Sequence, residues 1–171
     1  QGLWTALSRM TIENEIVFVL RLNNISDLEQ IETDIAYNDE LLKGIVETAV
    51  DGIITIGADG IIQGLNPAAA EVFGYEQAEM IGQNVRMLMP EPHHSNHNNY
   101  LRNYLRTGEA KIIGIGRDVM GLKKDGSLFP FKLSISEFDT GDRKLFTGIV
   151  HDLSDKVIAE ETRLALEKER E

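Results

Sequence analysis

The chain has 171 residues, no cysteine and a formal net charge of −11 at pH 7. Without cysteine it has no disulfide scaffold, no thiolate zinc site and no cysteinyl flavin adduct. A sequence pI near 4.8 argues against nucleic-acid binding, because phosphate recognition needs a basic surface. No apolar run approaches the roughly 20 residues that cross a bilayer, and no signal peptide is visible, so we expect a cytoplasmic segment without a membrane span.

The N-terminal residues 3–24 predict two β-strands joined by a turn at residues 13–15. Apolar and polar residues alternate between Trp4 and Ser8, and Ile16–Leu20 is an apolar, β-branched run. Two strands alone are marginally stable in water. We therefore expect this segment to need further strands as partners.

Residues 26–49 predict a helix with an apolar seam. Its seam positions alternate at spacings of three and four residues, which is the a/d pattern of a coiled coil with one polar position at Asn38. The seam consists of Leu28, Ile31, Ile35, Asn38, Leu42, Ile45 and Ala49. This pattern favours a homodimer through the linker helices, and the alternative is a single helix packed against its own domain.

Residues 50–153 predict a compact α+β domain. Strands alternate with turn signals on either side of a central helical region, and this order favours an antiparallel sheet. Asn66 and Pro67 form a helix start, and Gly74 ends that helix. The predicted strands are 52–56, 61–65, 111–122, 128–138 and 144–152, and the predicted helices are 67–73, 76–81, 93–106 and a charged helix over 154–171.

An internal repeat indicates how these segments are organised. Residues 18–27 parallel residues 146–155, and each copy is a strand that continues into a charged helix. We therefore interpret residues 1–25 as the last two strands of a preceding domain of the same kind and 26–49 as a linker helix. Residues 50–153 would be a whole domain, and 154–171 the start of a second linker helix.

Four segments of the domain carry a family resemblance. Asp51–Ile56, Asn66–Tyr75, Lys123–Pro130 and Gly148–Ser154 resemble the PAS sensory domains, with matches in order over about residues 45–155. The resemblance implies the PAS fold, a five-stranded antiparallel sheet with helices on one face, flanked by coiled-coil-like linker helices. It also implies a covalently linked upstream PAS domain and a downstream effector, such as the kinase of a two-component system or a cyclic-nucleotide enzyme.

Within PAS domains the chain resembles the haem-binding oxygen sensors of the FixL type. The segments that carry this resemblance are Ile81–Val85, Leu88–Pro92, His97–Tyr100 and Ile112–Arg117. It implies that His97 ligates haem iron through its imidazole. It implies that Arg117 meets bound oxygen or a haem propionate.

The same resemblance implies further cofactor-binding residues. Ile112, Leu133 and Ile135 would form the apolar wall of the haem pocket, and Tyr100 belongs to the histidine motif. An arginine that these sensors use near the propionates falls at Asn103 here. Arg102 and Arg106 lie close to it in the sequence, and we expect Arg102 to take part.

Other readings of these residues stay open. His93 and His97 are four residues apart and could chelate a metal ion on one helix face. A noncovalent flavin could fill the same pocket, or the domain could bind no cofactor and act in dimerisation and signal relay. The sequence shows no nucleophile–base set, nucleotide-binding loop or phosphoacceptor histidine, so we expect a regulatory sensor of gas or redox state and not an enzyme.

Overall fold

A computed structural model describes residues 3–12, 15–24, 26–109, 114 and 116–168. The chain divides into two compact units, Gln1–Ile45 and Val46–Glu171. No helix in the described ranges is long and apolar enough to cross a membrane. Each unit is described below by itself.

The first unit contains an antiparallel pair of strands. Strand β1 (Leu3–Ile12) pairs with β2 (Glu15–Asn24) in an unbroken register from Leu3 opposite Asn24 to Ile12 opposite Glu15. Helix α1 (Ser26–Thr48) follows β2. The two predicted strands and the predicted helix are therefore confirmed, while residues 13 and 14 of the predicted turn lie outside the described residues.

The second unit is built on a five-stranded antiparallel sheet, which confirms the predicted fold class. The strands are β3 (Gly52–Gly57), β4 (Ile62–Leu65), β5 (Arg117–Leu122), β6 (Leu128–Asp139) and β7 (Lys144–Asp152), and the helices are α2 (Pro67–Phe73), α3 (Gln77–Met80), a 3₁₀ helix (Val85–Leu88), α4 (His93–Thr107) and α5 (Ser154–Lys168). The order of the strands across the sheet is β4-β3-β7-β6-β5.

Most boundaries agree with the sequence-based expectation to within one residue, and the main differences concern the 3₁₀ helix, α3 and β5. The 3₁₀ helix Val85–Leu88 was not predicted, and α3 is shorter because Glu76 is its N-cap. Strand β5 begins at Arg117, whereas the sequence predicted a start at residue 111. Residues 110–113 and 115 lie outside the described residues.

The core lies between the sheet and the short helices. Phe73 of α2 packs edge-on against Phe129 and Phe131 of β6, with ring centroids 5.2 and 5.9 Å apart. Helix α2 approaches β3 so closely that a Cβ atom on Gly52 would lie 3.0 Å from the Ala69 Cα atom. Glycine at position 52 therefore lets the helix pack directly on the strand.

Asn66 connects four parts of the backbone around this core. The residue is 1% exposed. Its Oδ1 accepts hydrogen bonds from the backbone N–H groups of Ile53 (2.8 Å) and Ala69 (3.0 Å). Its Nδ2 donates to the carbonyls of Val46 (3.1 Å) and Asp51 (2.9 Å). One side chain thus caps α2 and ties the last turn of α1 to β3.

Candidate ligand-binding cavity

Two adjoining cavities lie between α4 and the sheet. Their volumes are about 520 and 500 Å³, which is within the range of small-molecule and cofactor sites. They share a set of lining residues, so together they form one larger space. The shared residues are Ile56, His93, His97, Tyr100, Arg117, Ile135 and Phe146.

The two cavities differ in their walls. One extends into the apolar core, whereas the other runs along the last turns of α4 and has polar and charged residues at its edge. The apolar cavity is lined by residues such as Ile54, Phe73, Val85, Leu88, Phe131, Leu133 and Val150. The polar edge consists of Asn103, Tyr104, Arg106, Thr107 and Glu109. The space therefore suits a ligand with an apolar body and anionic or polar groups at one end.

Helix α4 is fixed at both of its ends. The backbone N–H of His94 donates to the Pro90 carbonyl (3.1 Å), and Gly108 ends the helix in the left-handed conformation at φ 69°. The Tyr104 ring packs edge-on against Phe146 of β7, with centroids 5.9 Å apart. These contacts hold the cavity-lining side of the helix against the sheet.

His97 carries the clearest chemical signal in the cavity. Its Nδ1 atom is buried and has no hydrogen-bond partner. Burial is the largest cause that lowers the pKa of His97; the neighbouring His93 acts in the same direction, while Asn98 opposes them. The imidazole is therefore neutral at pH 7, which is the form that ligates a metal ion. A buried polar atom without a partner is uncommon and calls for a functional explanation.

The structure brings Arg117 to the same cavity. Arg117 begins β5, is paired there with Leu133 of β6, and lines both cavities. Among the described residues it has no ion-pair partner. A guanidinium group can bind a carboxylate in a bidentate manner.

The other residues singled out in the sequence are placed differently. Tyr100 and Ile135 line both cavities, and Leu133 lines the apolar one. Arg102 donates to the Asn98 carbonyl and to Asn99 Oδ1, and it lines a separate, smaller pocket. Ile112 lies outside the described residues.

The sequence did not single out two of the cavity residues: Arg106 was noted only as a neighbour of Asn103, and Tyr104 was not considered. Arg106 and not Arg102 lines the polar edge, and Tyr104 lies beside it. The signal for Arg106 was its position in the last turn of a helix whose earlier turns carry His97. The described residues contain no cluster of three or more His, Cys, Asp or Glu side chains that could hold a metal ion.

Comparisons with known proteins agree with the fold. The family model described as "PAS fold" matches residues 40–153, and the chain therefore belongs to the PAS family of sensory domains. A PAS domain of a protein from Haloarcula marismortui superposes with a TM-score of 0.59 at 21% identity, covering 72% of this chain and 98% of that one.

Two named relatives are sensors. The chain is 42% identical over 132 residues to the sensor protein FixL of Bradyrhizobium diazoefficiens, covering 77% of this chain and 26% of that protein. It is 29% identical over 109 residues to the oxygen sensor protein DosP of Escherichia coli, covering 64% of this chain and 14% of that protein. The chain thus spans about a quarter or less of the length of these relatives.

Proposed function

We propose that this PAS domain is a haem-based sensor of gas or redox state in which His97 ligates the iron. The observation that carries the proposal is the buried, partnerless imidazole nitrogen of His97 on a helix that lines a largely apolar cavity. The similarity to FixL and DosP, whose names describe a sensor and an oxygen sensor, supports it.

The residues present fit a haem group. Haem is a flat apolar ring with two carboxylates on one edge, and its iron takes a neutral imidazole as axial ligand. Apolar side chains form the walls of the deep cavity. Arg106 and Arg117 both reach the same space and neither has an ion-pair partner among the described residues. The cavity therefore offers an iron ligand, apolar walls and two cations for carboxylates.

Each side chain has a distinct part in this proposal. When bound, haem would supply an iron centre that binds a diatomic gas or changes its oxidation state. His97 would hold the iron, and Arg106 would hold a carboxylate at the polar edge of the cavity. Arg117 would bind a carboxylate or a polar ligand, and the aliphatic residues Leu133 and Ile135 would exclude water.

The fold offers a route from Arg117 to the flanking helices. Arg117 is paired with Leu133 on β6, and Leu133 is paired with Val150 on β7. Strand β7 ends at Asp152, and α5 begins two residues later at Ser154. A shift of Arg117 can therefore move the sheet edge and α5, and we propose that this movement reaches an effector outside the chain.

We also propose the wider context that the repeat implies. Residues 1–25 would end a preceding PAS domain, and residues 26–49 would link it to the domain at 50–153. The helix starting at residue 154 would lead to a kinase or cyclic-nucleotide enzyme in a cytoplasmic signalling protein. Cleavage of a longer protein at residue 25 should then release two separately folded PAS domains, which limited proteolysis can test.

A second function is favoured by a specific observation on α1. The seam residues Leu28, Ile31, Ile35, Leu42 and Ile45 are each 54 to 62% exposed, and such a row suits a second copy of the helix. The alternative is therefore a cofactor-free module that dimerises through its linker helices and relays a signal. A noncovalent flavin in the same cavity is a third candidate.

One titration separates these functions. Haem added to the purified chain should give a saturable Soret band at a 1:1 ratio, and His97→Ala should lose it. His94→Ala is the matched control, because His94 Nδ1 is engaged by the Arg86 carbonyl at 2.9 Å and should not be needed. A wild-type chain that ignores excess haem contradicts the haem proposal, and a flavin absorption spectrum would favour the third candidate.

A further inference from the structure

A pair of histidines on α4 forms a feature that haem binding does not require. His93 and His97 are one helical turn apart, and both line the two cavities. Side chains four residues apart on a helix have Cβ atoms about 5–6 Å from each other. The two imidazoles can therefore reach one ion from the same side of the helix, as in helical zinc sites with this spacing.

Both imidazoles have nitrogen atoms to offer. His97 Nδ1 is buried and without a hydrogen-bond partner. His93 has a ring contact with Tyr100, with centroids 6.1 Å apart, and no hydrogen bond to a described residue. The next histidine differs, since Nδ1 of His94 is held by the Arg86 carbonyl. Among the described residues, His93 and His97 thus each have a ring nitrogen without a hydrogen-bond partner, whereas Nδ1 of His94 is hydrogen-bonded.

The ligand set determines the class of ion. Glu91 lines the apolar cavity beside both histidines, but its carboxylate accepts hydrogen bonds from Ser95. The described residues hold no cluster of three potential ligands, so water must complete the coordination. Two imidazoles suit late transition ions, whereas Mg²⁺ and Ca²⁺ require oxygen ligands.

We propose that His93 and His97 form a two-histidine site for a late divalent transition ion, with Cu²⁺ bound more tightly than Ni²⁺ or Zn²⁺. The order follows from the general affinities of nitrogen ligands for these ions. Because His97 also serves the proposed haem site, metal and haem exclude one another. The metal site itself does not rest on haem binding, since it needs only the two imidazoles of the chain without cofactor.

The test is a calorimetric titration of the full chain with CuCl₂ and NiCl₂, with MgCl₂ as the negative probe. We expect 1:1 binding of Ni²⁺ and Cu²⁺, no binding of Mg²⁺, and at least a tenfold loss of affinity in His93→Ala and in His97→Ala. His94→Ala should bind as the wild type does. His93→Gln is a second variant, because His93 is exposed at the first position of α4 and glutamine preserves the helix.

Several outcomes overturn the inference. A wild-type chain that binds neither Ni²⁺ nor Cu²⁺ contradicts it, and so does unchanged affinity in both His93 variants or an equal loss in His94→Ala. Haem provides the distinguishing readout: His93→Ala should lose the metal and keep haem, whereas His97→Ala should lose both. Haem bound without metal defeats this inference alone, and metal bound without haem defeats the proposed function alone.

Discussion

Removal of the Asn66 side chain should be among the most destabilising single changes in the domain. The Asn66→Ala variant loses the N-cap of α2, which costs about 1 kcal/mol. The loss of the Ala69 bond is part of this cost. The variant also leaves the part-buried N–H group of Ile53 without its acceptor, at about 1–1.5 kcal/mol. We therefore expect the free energy of unfolding to fall by about 2–3 kcal/mol, in the upper part of the usual range for one residue.

A second variant separates the effect of the accepting Oδ1 atom of Asn66 from that of its donating Nδ2 group. Asn66→Asp keeps the accepting oxygen for Ile53 and Ala69 but loses both bonds donated to the carbonyls of Val46 and Asp51. We expect hydrogen exchange to become faster around residues 46–51, where a carboxylate oxygen would face two carbonyl oxygens, and to stay nearly unchanged at the start of α2.

The assay must report on this unit alone. Trp4, the only tryptophan, lies in the unit Gln1–Ile45, so its fluorescence is unsuitable. Hydrogen exchange at amides of the central strand β7, which keep their ladder hydrogen bonds in the variant, reports the free energy of unfolding of this unit. Asn84→Ala is the comparison, because Asn84 caps the 3₁₀ helix and donates only longer hydrogen bonds, to the Asp59 carbonyl (3.4 Å) and to Asn98 Oδ1 (3.2 Å); its replacement should cost about 1 kcal/mol. A loss below 1 kcal/mol in Asn66→Ala would refute the reasoning.

Three further predictions concern titration, packing and association. Burial lowers the pKa of His97 below the ordinary histidine value of about 6.5, so the unfolded chain binds a proton more readily. Without added haem, the free energy of unfolding should therefore decrease as pH falls from about 6.5 through the lowered pKa, more in wild type than in His97→Gln. In Gly121→Ala the new Cβ would lie 2.6 and 2.9 Å from two phenylalanine ring atoms, and urea denaturation should show a loss of about 1–3 kcal/mol. Asn38→Leu should strengthen or change self-association of α1, measured by light scattering over a range of concentrations.

Each of these predictions has an outcome that would contradict it. An identical pH profile in the wild type and in His97→Gln would contradict the role given to burial. Gly64→Ala adds a Cβ with nothing within 4 Å and should be close to neutral. A chain that stays monomeric at every concentration, with or without Asn38, argues against pairing through α1.

The elements whose bounds the sequence predicted most accurately are those determined by local capping residues. The helix at residues 67–73 was predicted with the bounds that the structure has, because Asn66 caps its start and Gly74 ends it at φ 75°. The 3₁₀ helix Val85–Leu88 escaped prediction because its position depends on tertiary contacts. The Val85 N–H donates to the Gly60 carbonyl (2.9 Å), and Asn84 forms an isolated bridge with Ile61.

The cavity residues also divide into those that a sequence motif can locate and those whose role depends on side-chain conformation. Sequence resemblance pointed to His97 and Arg117, and the structure places both on the cavity although one is on α4 and the other on β5. It also pointed to Arg102, but the neighbouring Asn98 and Asn99 take the guanidinium hydrogen bonds of that residue. Such local competition between side chains is decided by rotamers, which a motif does not specify.

The central claim is that the His97 imidazole is the iron ligand, and replacement of that imidazole by a free one tests it most directly. In His97→Gly the chain should lose the Soret band of bound haem, and added imidazole should restore it because the small ligand enters the space that the side chain left. Restoration should saturate with imidazole concentration and be absent in the wild type. A His97→Gly chain that binds haem as tightly as the wild type without imidazole would contradict the account.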